Sequence, residues 1–156
     1  MLFHNLEIIF QLFLASIFGG FVGIEREYKG KEAGFRTYTL VSLGAALFTI
    51  ISVESFIPYL GVAGIDIDPS RIVGQIVLGI GFLGAGLIIF RQSHIEGLTT
   101  AAGLWVTAGI GTAIGFHLYF PAIFVSFFTI LILAGLGIIE EKLFRKKNKN
   151  EEVEKQ

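Results

Sequence analysis

Apolar residues in this chain fall in long continuous runs rather than in the alternating or helical-face patterns of a water-soluble core. A helix needs about 20 mainly apolar residues to cross the hydrocarbon layer of a bilayer. Five stretches approach or reach that length: residues 8–24, 37–57, 72–90, 98–116 and 118–139. The first is slightly short and borrows from its flanks, the second is interrupted near its end by Glu54, and the last three hold no Asp, Glu, Lys or Arg. Within lipid only helices and closed barrels satisfy the backbone, and none of these runs shows the period-two alternation of a barrel strand. The pattern predicts an all-α integral membrane protein, a compact bundle of five transmembrane helices over residues 1–140. Residues 141–156, nearly all Lys, Glu and Asn, read as a solvated cytoplasmic tail without a core of its own.

Composition sharpens this picture in one respect and charge in another. Hydrophobic residues make up 53% of the chain and charged residues 16%, which excludes an ordinary soluble domain of 156 residues. Glycine stands at 20 against only 3 prolines, so the excess is not of the collagen or low-complexity kind. Glycine lets membrane helices approach closely where hydrophobic exclusion cannot drive packing. Cysteine is absent, which removes disulfides, thiol catalysis and Cys-ligated metals. The net charge of −1 points to no partner, and a nucleic-acid partner is not expected. Placement of charge is more informative than its sum. Eleven of the twelve Lys and Arg residues fall in the first loop, the third loop and the tail, leaving only Arg71 on the other side. The positive-inside rule then gives an N-out, C-in orientation, with the lipid bilayer as the first partner. The amino-terminal residues lack Lys and Arg and carry Glu7, unlike a cleaved leader, so the first apolar segment is expected to be retained.

Candidate chemistry collects at the helix ends. In the first loop Glu25, Arg26 and Glu27 stand where span one leaves the membrane, with Lys31 following and Arg36 where span two enters. These charges either anchor two helix ends or form a polar cluster at the mouth of the bundle that binds an ion or an anionic partner. In the second loop Asp66 and Asp68, separated by one residue, resemble part of an oxygen-ligand site for Mg²⁺ or Ca²⁺. Asp68 followed by Pro69 also reads as an N-cap with proline at the first helical position. Arg71 and Gln75 lie one turn apart on span three, where facing lipid would be costly, so they are expected to point into the bundle. Thr99 and Thr100, opening span four, are read as caps or back-bonding hydroxyls, with a substrate-facing pair as the alternative. His94 and His117 fall at opposite ends and cannot share a metal; His4 completes no zinc set.

The run from Gly79 to Gly86 formally matches the G-x-G-x-x-G fingerprint. It has no preceding strand and no exposed helix start for a pyrophosphate, so the dinucleotide reading fails. Gly79, Gly81, Gly84 and Gly86 are read instead as a helix-packing stripe, together with the G-x-x-x-G pairs Gly19/Gly23 and Gly111/Gly115. Such a stripe fits a tightly packed bundle, a homo-oligomer or both.

The order of these motifs resembles the amino-terminal membrane domain of the MgtC/SapB family. The matching stretches are Gly-Gly-Phe-Val-Gly-Ile-Glu-Arg-Glu at 19–27, Ala-Gly-Phe-Arg-Thr at 33–37, Leu-Val-Ser-Leu-Gly-Ala at 40–45 and Asp-Pro-Ser-Arg at 68–71. Gly-Ile-Gly-Phe-Leu-Gly-Ala-Gly at 79–86 and Gly-Leu-Thr-Thr-Ala-Ala at 97–102, with Trp105, complete the set. The resemblance covers roughly residues 6 to 140. It implies a multi-pass protein of the bacterial inner membrane linked to growth in low magnesium, without a resident cofactor other than Mg²⁺ itself. It also implies one of two activities: regulation of another membrane protein, or transport of Mg²⁺ or another cation. An enzymatic activity is not expected, because no nucleophile is paired with a base.

Overall fold

A computed structural model describes residues 2–59, 68–91 and 94–137. It contains five helices: α1 (Leu2–Tyr28), α2 (Phe35–Glu54), α3 (Ser70–Leu87), α4 (Leu98–Gly115) and α5 (Tyr119–Leu131), the last continued by a π-helical segment, Ile132–Leu136. All five runs are long and apolar enough to cross a membrane, counting the 3₁₀ turn Ile57–Tyr59 with α2 and the π segment with α5. Asp66 and the tail from residue 138 lie outside the described residues.

Local chemistry sets the helix ends. Gly30 takes the left-handed conformation (φ 62°) just past α1. Its N–H bonds the Glu27 carbonyl at 3.0 Å and the Lys31 N–H bonds that of Arg26 at 3.0 Å, a Schellman closure. The end of α4 closes in the same way without a glycine. His117 is left-handed (φ 60°), its N–H bonding Ile114 at 3.0 Å while Leu118 N–H bonds Ala113 at 2.8 Å. Histidine tolerates that region better than a β-branched residue would.

Boundaries depart from those expected in α1, which extends beyond residues 8–24 at both ends, and at the end of α3. The third apolar run does not stay helical to Phe90: α3 stops at Leu87, and Ile88 is already extended. Residues beyond it form a two-stranded antiparallel ribbon, β1 (Ile89–Arg91) with β2 (His94–Glu96), pairing Phe90 with Ile95. Consecutive β-branched Ile88 and Ile89 after a glycine-weakened last turn favour extended backbone there. Gly97 closes the ribbon at φ 87°, and a side chain on it would strike the Leu87 carbonyl. Gly97 therefore occupies the N-cap of α4, which has no side-chain cap. Thr99 and Thr100 are the second and third residues of the helix, two and three positions past its cap.

The packed interior belongs to α1, α2 and α4. Gly19 and Gly111, from α1 and α4, both press on Ser42 of α2, and a Cβ at Gly115 would come within 2.6 Å of Thr49 Cβ. These glycines, with Gly23 against Phe35 and Tyr38, carry the close helix crossings of the bundle. Interior hydroxyls bond carbonyls of their own helices: Thr49 to Ala45 (2.8 Å), Ser52 to Thr49 (2.7 Å), Thr107 to Gly103 (2.9 Å) and Ser126 to Ala122 (2.7 Å). Outward faces are apolar and aromatic, with Phe120, Phe124, Phe127 and Phe128 of α5 all exposed.

The stripe on α3 behaves differently from the expectation. Only Gly84 meets a neighbour, at 3.6 Å from Ala101 Cβ, while Gly79, Gly81 and Gly86 face open space. The reason is the position of α3, which rests on α4 and diverges from α2 instead of completing a closed ring. Arg71 and Gln75 follow from the same geometry. Both are exposed, and Gln75 borders the cleft between α2 and α3 rather than entering the interior.

Candidate functional site

The antiparallel arrangement gathers the end of α1, the start of α2, the start of α4 and the end of α5 at one end of the bundle, the basic end. Its centre is Arg26, 2% exposed despite its charge. The guanidinium pairs with the Glu25 carboxylate and donates to the Leu133 carbonyl at 3.4 Å. Lys29 Nζ donates to the same carbonyl at 3.3 Å and stands 3.4 Å from Glu25 Oε1, an ion-pair distance without hydrogen-bond geometry. Leu133 lies inside the π-helical segment that continues α5. The buried cation thus has both a counter-charge and a backbone acceptor, which is what makes its burial tolerable.

Glu27 does different work. Its Oε2 accepts the Phe35 N–H at 3.0 Å, so a residue of α1 caps the start of α2. Gly34 leaves the room for it, since a Cβ there would collide with the Glu27 carboxylate. The spacing of Glu27, Gly34 and Phe35 in the sequence is therefore one device that joins two helices across a tight loop. Lys31 and Arg36 are exposed at the rim, with no ion pair among the described residues. Arg36 and Thr37 stand at one mouth of a cleft of about 900 Å³ between α2 and α3.

Below this rim Tyr38 is fully buried and its hydroxyl donates to the Thr100 carbonyl at 2.8 Å, with Gly103 opposite providing space for the ring. Thr100 is buried and Thr99 exposed, so the two hydroxyls do not face one substrate. At the far end Gln11 is buried and its amide donates to Ile114 at 2.8 Å and Gly115 at 3.3 Å, tying α1 to the end of α4. His4 pairs with Glu54 at 2.7 Å, and His117 lies 3.4 Å from Glu7 and 3.1 Å from the Tyr119 hydroxyl. Sequence reasoning passed over Tyr38 and Gln11. The available signal was a lone polar tip inside an apolar run, which in a bundle must find a carbonyl.

Asp68 is exposed, and its Oδ1 accepts both the Ser70 N–H (3.0 Å) and the Ser70 hydroxyl (2.5 Å) at the start of α3. The hydroxyl bond first, then the backbone bond, holds its carboxyl below the usual carboxylate range. Among the described residues no three His, Asp or Glu side chains converge as a metal-binding set.

The end cluster, its loop and the spacing of the glycines can be compared with known proteins. A model of the MgtC family matches residues 12–142. The chain belongs to the MgtC family. Among curated relatives it is 46% identical to YhiD of Escherichia coli K12, a protein whose name proposes a magnesium transporter, over 92% of this chain and 66% of YhiD. It is 38% identical to SrpB of Synechococcus elongatus over 83% of this chain and 75% of that protein. MgtC of Brucella abortus is 40% identical over 78% of this chain and 48% of its own length. The chain thus spans about two thirds of YhiD and about half of MgtC. No solved structure matches it. Family membership and the five apolar helices among the described residues make it a multi-pass membrane protein.

Proposed function

We propose that this protein serves magnesium homeostasis in the bacterial inner membrane by binding another membrane protein, with no chemical step of its own, in an N-out, C-in orientation. The observation that carries the reading is the open face of α3. Gly74 and Gly81, two turns apart on one side of α3, present a surface on which a side chain would meet nothing within 4 Å. Small residues on an outlying helix permit a second helix backbone to approach closely, and van der Waals packing of that kind drives association in lipid. Glu25, Arg26, Glu27 and Lys29 at the basic end are already engaged in holding helices together, which favours a binding role over a mid-membrane relay.

The chain has no cysteine, so a single Phe82→Cys substitution offers background-free cross-linking from this face in living cells. A discrete cross-linked product to one other membrane protein, lost when Gly81→Leu is added, is the expected result. The second reading, cation passage, draws on the name carried by YhiD. Mg²⁺ flux into liposomes holding only this protein, abolished by Asp66→Ala or Glu25→Gln, would replace the first reading with the second.

A further inference from the structure

We infer that the cleft between α2 and α3 is a binding site for an anionic phospholipid, its phosphate at Arg36 and an acyl chain along the groove. The cleft holds about 900 Å³, near the upper end of ligand clefts, which run from about 300 to 1,000 Å³. One mouth carries Arg36 and Thr37. The walls beyond are apolar, with Leu40, Gly44 and Phe48 from α2 facing Gly79 and Leu83 from α3, until Gln75 ends the apolar stretch. This distribution, one cation at an end and hydrocarbon for the rest, is the complement of a lipid with a negative headgroup.

Length supports the same occupant. From Arg36 to Phe48 is twelve residues of helix, or about 18 Å at 1.5 Å per residue. One leaflet of the hydrocarbon core is about 15 Å, half of the full thickness. The groove therefore suits a chain of one monolayer, whereas a partner helix would need a trough through both. Arg36 has no ion pair among the described residues and sits in the first turn of α2, where the helix dipole also favours an anion. The Glu27 carboxylate at the Phe35 N–H offsets part of that dipole, so the side chain of Arg36 carries the recognition. Basic pockets between helices on the cytoplasmic side are a recurrent way of holding anionic headgroups. The reading is independent of the proposed protein partner, which uses the opposite, outward face of α3.

The test is native mass spectrometry of the full chain released from nanodiscs containing equal amounts of dioleoyl phosphatidylglycerol and dioleoyl phosphatidylethanolamine. These lipids share acyl chains and differ in headgroup charge. The wild-type chain is expected to retain the anionic lipid about fivefold over the zwitterionic one, the effect of one Arg at an anionic headgroup. Arg36→Gln abolishes the preference. Gly79→Leu fills the groove and lowers retention of both lipids, and its Cβ meets nothing within 4 Å, so the fold tolerates it. Gly44→Leu, equally open, serves as the second filling variant. Arg71→Gln, outside the cleft, leaves retention unchanged. Equal retention of the two lipids by the wild type overturns the inference. So does a preference that survives Arg36→Gln, or a dimer that Gly79→Leu dissolves with lipid retention unaltered.

Discussion

In α1 and α4 a methyl group placed on Gly19 or Gly111 would collide with Ser42, while on α3 one placed on Gly74, Gly79, Gly81 or Gly86 would meet nothing within 4 Å. The residue type is the same and the spacing is similar, yet the first set is consumed by the fold and the second is left over. Burial follows the division, at 56% of the most apolar stretch of α4 against 11% of that of α3. A glycine motif in a membrane helix therefore marks a place where something can approach closely, without saying whether that neighbour belongs to the same chain. In the trio α1, α2 and α4 it does. On α3, Gly84 apart, no described residue takes that place.

Substitutions can break or sharpen that contrast. The largest effect is expected at Gly111→Leu, where the new side chain drives into the Ser42 backbone; overpacking of this severity costs about 3 kcal/mol. It should appear as a lowered unfolding midpoint in detergent or as failure to accumulate. Tyr38→Phe removes one buried hydrogen bond to the Thr100 carbonyl within the same trio and should cost about 1 kcal/mol in the same measurement.

A smaller effect belongs to the start of α3. The Asp68 carboxyl holds its proton less tightly when folded than when unfolded, so its contribution is fully present above the unfolded-state value near 4. It is lost as pH falls through the lower folded value. Amide resonances of residues 70–74 followed by NMR should report fraying over that acidic window in the wild type, and Asp68→Ala should show it already at neutral pH. The smallest effect is expected at Gly81→Leu. With nothing to strike, it should leave stability within about 0.5 kcal/mol of the wild type while abolishing cross-linking from Phe82→Cys. A large loss of stability there would show that α3 is packed as tightly as α4 and would erase the contrast.

The basic end shows the limits of reading charge from sequence. Glu25, Arg26, Glu27, Lys31 and Arg36 form one cluster along the chain, yet the fold assigns them separate tasks. Arg26 turns inward because a π-helical turn in α5, more than a hundred residues away, offers the Leu133 carbonyl. Glu27 turns toward α2 because Gly34 leaves space. Arg36 faces the cleft. No rule of local spacing anticipates a carbonyl acceptor on a distant helix, and a Gly in a loop does not announce which carboxylate it makes room for.

What the sequence determined by itself was the solvent and the number of helices. Hydrocarbon admits no unpaired backbone, so length and apolarity alone dictate five helical runs, and glycine spacing marks where close approach is possible. The family is equally legible, since its motifs are local strings. Only the tertiary structure decided which glycines are filled, which charges are buried and where a cleft opens. Those outcomes depend on how α3 leans away from α2, a balance of packing between surfaces distant in the chain, and lipid-exposed helices of similar apolarity carry no local signal of their neighbours.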